Sequence, residues 1–76
     1  MGTLFFTRHE AEAKLNKTVR VRMALVGIPD GTTGKVAGME ETADGYSVII
    51  EWSVQPTPRR SRFSKDLYQL YVTEEF

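Results

Sequence analysis

Residues 29–36 read PDGTTGKV, and the conformation of the chain beyond Lys35 decides the fold. A phosphate-binding loop needs a Gly separated by four residues from its Gly-Lys pair, Ser or Thr directly after it, and a helix opening there. Pro29 stands at the first of these positions and Val36 at the last. Pro offers no backbone N–H to a phosphate, and Val cannot coordinate a metal ion. The stretch after Lys35, VAGMEE, is β-like and broken by Gly38. The residues therefore read as a turn between two strands. Pro29 sets φ at its second position, Asp30 and Gly31 complete it, and Gly34 is expected to supply an unusual φ where the next strand begins.

The strands extend outward from that turn. Upstream, TVRVRMAL (18–25) alternates Val19, Val21, Met23 and Leu25 with Thr18, Arg20, Arg22 and Ala24. This predicts a strand with one inward face and its arginines outward. Downstream, KVAGME predicts a second strand with a bulge or tight bend at Gly38. Asp44-Gly45 signals a hairpin into YSVIIEWS, where Tyr46, Val48, Ile50 and Trp52 share the inward face. Ile49 is apolar on the outer face and is expected to lie under a helix. Residues 54–62, VQPTPRRSR, with two prolines and three arginines, read as a loop leading to a fourth short strand at Phe63.

Both ends read as helical. Thr7 and Glu10 stand three apart, as a capping box requires, and Ala11, Ala13 and Leu15 favour a helix from Arg8 to Leu15, stopped at Asn16. Leu4, Phe5 and Phe6 are expected to dock it, since so short a helix has little stability alone. In SKDLYQLYVTEEF, Ser64 can cap a helical turn with Leu67, Leu70 and Tyr71 on one face. A single helical turn followed by a strand at Leu70 to Thr73 is the other reading; a helical turn is favoured. Tyr68, Tyr71 and Phe76 would then cover one end of the fold or offer an apolar patch.

At 76 residues the chain supports a single small domain, which buries only about 60% of its unfolded surface. Residues 1–17 are expected to form a segment whose helix packs on residues 18–76. No cysteine is present, so neither a disulfide nor a thiolate metal site can form. His9 is the single histidine and has no companion ligand of nitrogen or sulfur. No nucleophile–base pair or opposed carboxylate pair is visible, so no catalytic residue, cofactor or metal is expected. A signal peptide and a membrane-length apolar stretch are both missing, which points to the cytoplasm.

The strand VRVRMAL, the turn with Gly31 and Gly34, KVAGM, Asp44-Gly45 and YSVIIEW together resemble the small SH3-like barrels, particularly the KOW-type arrangement. The ending FSKDLYQLY is similar to the closing segment of small bacterial SH3-like proteins and, faintly, to the barrel of nitrile hydratase β subunits. The resemblance covers about residues 18–72. It implies a small antiparallel SH3-like β-barrel, with a short N-terminal helix and a C-terminal helical turn, serving as a docking module for RNA, ribosomes or protein partners or as an accessory subunit. The aromatic row that signalling SH3 domains use for proline-rich peptides is absent.

The sharpest surface feature is Arg59, Arg60, Arg62 and Lys65 beside Trp52 and Phe63. Arginine binds carboxylate or phosphate in a planar, bidentate manner, and aromatics can stack on bases. A solvated loop over a core Trp52 and Phe63 explains the same residues. Ten basic and ten acidic residues give zero net charge, whereas generic nucleic-acid binders carry a positive excess. A non-catalytic module binding a protein partner through Arg59, Arg60, Arg62, Lys65, Trp52 and Tyr46 is therefore expected. RNA or single-stranded nucleic acid is the alternative partner, and a homo-oligomer is a further option. Arg20 and Arg22 are expected to pair across strands with Glu51 and Glu40, with extension of the basic patch as the other reading.

Overall fold

The structure, a computed structural model, describes residues 4–23, 25, 27–54 and 57–74. Thr7 caps the first helix, α1 (Arg8–Lys14). Its hydroxyl accepts from the Glu10 N–H at 3.1 Å and the Glu10 carboxylate accepts from the Thr7 N–H at 2.9 Å. Asn16, at φ 68°, turns the chain out of the helix. The Asn16 N–H then donates to the Val36 carbonyl, and the Val36 N–H to the Lys17 carbonyl. The helix is thus tied to the strand that leaves the PDG turn. Ala11 faces inward and is wholly buried. Of the three expected docking residues, Phe6 is buried, whereas Leu4 is 62% exposed.

Five strands build the sheet: β1 (Thr18–Val21), β2 (Thr33–Thr42), β3 (Gly45–Trp52), β4 (Arg59–Phe63) and β5 (Val72–Glu74). A second helix, α2 (Lys65–Tyr71), precedes β5. All strands join one antiparallel sheet in the order β4-β3-β2-β1-β5. The protein is mostly β, with two short helices. β4 and β5 are the two outer strands, and the sheet does not close into a barrel.

No helix starts at Lys35. That residue lies within β2, so the phosphate-loop geometry is absent. The Pro29 carbonyl accepts the Thr32 N–H at 3.1 Å, and Gly31 takes φ 84° in the turn. Gly34 is needed for a reason other than the one expected. It lacks a left-handed φ, but a Cβ there would lie 2.7 Å from Trp52 Cε3 and 2.8 Å from the Glu51 carbonyl. Only glycine lets β2 approach the indole this closely. The bulge near Gly38 is present, with the register slipping between Val36 and Gly38 so that Ala37 is the extra residue.

The first strand is shorter than expected. Its alternation holds for Val19 and Val21, both buried, and then the chain bends. Met23, expected inside, is 48% exposed. Leu25 and Ile28 pair with each other instead, with Gly27 at φ 77°, and Ile28 enters the core. Ala24 lies outside the described residues.

The core is a cluster of Val19, Val21, Ile28, Val36, Val48, Ile50, Trp52, Phe63 and Val72, extended by Phe6, Ala11 and Tyr68 toward α1. Edge-to-face aromatic pairs join Trp52 to Phe63 at 6.1 Å and Phe6 to Tyr68 at 5.5 Å. Both readings of the C-terminal segment hold in part, since α2 runs about two turns and β5 comes directly after it. Its buried residue is Tyr68, however, while Leu67 and Leu70 are 40% and 52% exposed. Phe76 lies outside the described residues.

Candidate functional site

The three arginines expected on a loop lie on a strand. Trp52, Glu51, Ile50, Ile49 and Val48 of β3 pair in turn with Arg59, Arg60, Ser61, Arg62 and Phe63 of β4. Strand alternation separates the cations. Arg59 shares a side with buried Phe63, and its guanidinium lies against Gly27, about 3 Å from where a Cβ would stand. Arg60 and Arg62 point to the opposite, outer face. Gln55 and Pro56, within the loop expected over residues 54–62, lie outside the described residues.

On the outer face both arginines meet carboxylates. Arg60 Nε is 3.8 Å from Glu51 Oε2, and Arg62 Nη1 is 3.0 Å from Glu40 Oε1. The second pair reaches from β4 over β3 to β2. It crosses β3 where Ser47 is buried and Ile49 half-buried. Ile49, expected beneath a helix, instead has Gly38 opposite it on one side and Arg62 on the other. Glu51 and Glu40 thus pair with β4, and Arg22, expected to pair with them, turns elsewhere. Arg22 donates through Nη1 to the Gln69 carbonyl at 3.1 Å.

The remaining expected contacts lie elsewhere. Trp52 is fully buried and presents nothing to a partner; its place in the core is the simpler of the two sequence readings. Tyr46 is half-buried at the start of β3. Its N–H and carbonyl bond to Phe6 at 2.8 and 2.9 Å, beyond the end of β4. Lys65 opens α2 and bonds to Glu10 of α1 at 2.9 Å, so it serves the helices and not the β4 face. The expected single basic patch is in fact four cations in three settings.

A second region was not foreseen. A groove of about 750 Å³ lies between α1, α2 and β5, lined by Phe6, His9, Ala13, Tyr68 and Val72 among others. Lys14 of α1 pairs with Glu74 of β5 and stands over the Tyr68 ring, 5.2 Å from its centre. The Tyr68 hydroxyl donates to the same Glu74 oxygen at 2.9 Å. Burial pushes the Tyr68 hydroxyl far up, and the hydrogen bond to Glu74 and its charge add to this. Burial would also raise the Glu74 carboxyl, but hydrogen bonds from Lys14 and Tyr68 outweigh it and hold the carboxyl below its ordinary value. Glu10 is lowered by the Thr7 backbone N–H and by Lys65. These groups latch α1 to α2 and β5. Sequence separations of 60 and 55 residues left no local signal by which to find them.

Among the described residues no group of three or more His, Asp or Glu side chains is placed to hold a metal ion. No helix among them is long and apolar enough to cross a membrane. No protein-family model matches the chain, and neither a curated protein nor a solved structure is significantly similar to it.

Proposed function

We propose that this chain is a non-catalytic interaction module that binds a protein partner through the outer face of β3 and β4, around Arg60, Arg62 and Ile49. The pairing of Arg60 with Glu51 and Arg62 with Glu40 carries this reading. Affinity for nucleic acid comes from cations that displace counterions along the phosphates. Arginines already neutralised by carboxylates contribute little of that, whereas a mixed-charge face around an apolar centre suits another protein. We further read the fold as an SH3-like barrel left open between β4 and β5. The consecutive strand order, the bulge that bends β2, and a helix delivering β5 back to β1 support this.

RNA or single-stranded nucleic acid is the second reading, and one observation favours it: Arg59 has no carboxylate partner among the described residues. Titrating labelled single-stranded RNA at several salt concentrations separates the two. The expected result is no binding at low salt. Binding that weakens steeply with salt and disappears in an Arg59→Ala/Arg60→Ala/Arg62→Ala variant would establish the nucleic-acid reading instead. A photo-crosslinking residue at position 60 should yield protein adducts in cells, and one at Asp30 should not. Equal yields at both positions would remove the case for this face.

A further inference from the structure

Four large apolar side chains are exposed among the described residues: Leu4, Met23, Leu67 and Leu70. The fold gathers them. Leu67 and Leu70 stand three apart on α2 and so share one side of it. The Leu4 carbonyl accepts the Asp66 N–H at 3.3 Å, which sets Leu4 beside the first turn. The Arg22 N–H donates to the Tyr71 carbonyl at 2.6 Å, which sets Met23 beside the last. Exposed apolar residues therefore stand on α2 and beside both of its ends, over a helix of seven residues, about 10 Å long.

Opposite charges stand at the two ends of α2. Asp66 sits in the first turn of α2, bonded to the Ser64 hydroxyl. Arg22 is held at the other end by the Gln69 carbonyl. A two-fold contact places the same patch of both subunits face to face and demands that the patch complement itself. An acid at one end, a base at the other and leucines between them meet that demand when two α2 helices lie antiparallel. Leu67 of each copy then faces Leu70 of the other, and Asp66 meets Arg22 twice. The helix dipoles oppose one another in the same arrangement. A net charge of zero removes the long-range repulsion that would keep copies apart.

We infer that α2 is the contact of a symmetric homodimer, in which a second copy of this chain covers Leu67 and Leu70 and pairs Asp66 with Arg22. The interface is small and the dimer accordingly weak, with a dissociation constant on the order of 10–100 micromolar. Sedimentation equilibrium of the full chain from micromolar to millimolar concentration tests this, with circular dichroism confirming that each variant is folded. Leu70→Asp should weaken association at least about tenfold, because it buries a charge at the centre of the contact. Since Leu70 is half exposed, the substitution leaves the fold intact. Arg22→Asp or Asp66→Arg alone should each weaken association about fivefold or more, by setting like charges together. The Arg22→Asp/Asp66→Arg double variant should restore the wild-type value to within about threefold, because the charges are exchanged and not lost. A chain that stays monomeric at millimolar concentration overturns the proposal. So does a dimer indifferent to Leu70→Asp, or one that the double reversal fails to restore.

Discussion

The latch joining α1 to α2 and β5 and the outer face of β4 contain the same chemistry in different surroundings. Each consists of two ion pairs. In the latch, the Lys14 and Glu74 side chains are only 27% and 21% exposed, and Lys65 is 27% exposed. On the outer face, Arg60 and Arg62 are 67% and 64% exposed. Water screens the second set, so its net contribution to stability is small. In the latch one carboxylate serves a lysine and a tyrosine hydroxyl together, and removing it strands two donors in a partly dry setting. Charge pairs alike in composition thus divide into one that holds the fold and one that dresses a surface.

The comparison breaks most visibly at Glu74. Glu74→Ala should cost about 1–2 kcal/mol of stability in urea unfolding, because Lys14 and the Tyr68 hydroxyl lose their common acceptor. A cost no greater than that of Arg60→Ala would show that partial burial makes no difference here.

Acid sharpens the same contrast. Glu74 and Glu10 titrate below the ordinary 4.5 in the folded protein. Above the unfolded value both states are ionised, and the stabilisation is fully present. As pH falls from about 4.5 through the lower folded values, the unfolded state takes up protons first and the stabilisation is lost. Unfolding free energy measured against pH should therefore drop across this interval, and Glu74→Gln should flatten the drop. At the other extreme the raised Tyr68 value means that stability falls above about pH 10, where the unfolded phenol ionises and the folded one does not.

Most local signals in the sequence survived into the structure, although the alternation of TVRVRMAL fails at exposed Met23, and those depending on distant partners did not survive. The Thr7–Glu10 capping box needs only neighbours three residues apart, and it forms. So does the alternation of Val48, Ile50 and Trp52, which any two-sided sheet requires. A fourth strand was expected at Phe63, but its start at Arg59 was hidden because three arginines after two prolines look like a loop. What makes it a strand is the unpaired side of β3, a tertiary cause. The periodicity of α2 set Leu67, Leu70 and Tyr71 on one face, but Phe6 packs against Tyr68 and turns that residue inward instead. At Gly34 the sequence pointed to the necessary residue but not to its cause, since the indole that crowds it lies 18 positions away in the chain. The basic cluster was legible only as a composition. Whether its members share a face depends on strand parity, and parity could not be assigned while 54–62 read as a loop.

The smallest stability effect belongs to the outer face, and there it separates stability from recognition. Arg62→Ala leaves Glu40 facing solvent, so it should change unfolding free energy by less than about 0.5 kcal/mol. The reversal Arg62→Glu with Glu40→Arg should restore even that, since the pair crosses β3 in either sense. Crosslinking to a protein partner from position 60 responds differently. Recognition reads the sign of charge at a fixed place, so the exchanged pair should remain folded and stable yet lose its adducts. If the exchanged pair kept them, the charge pattern of this face would be irrelevant to binding and the contact would have to rest on Ile49 and the sheet's shape. Loss of adducts with unchanged stability is the outcome that assigns the outer-face charges to a partner and not to the fold.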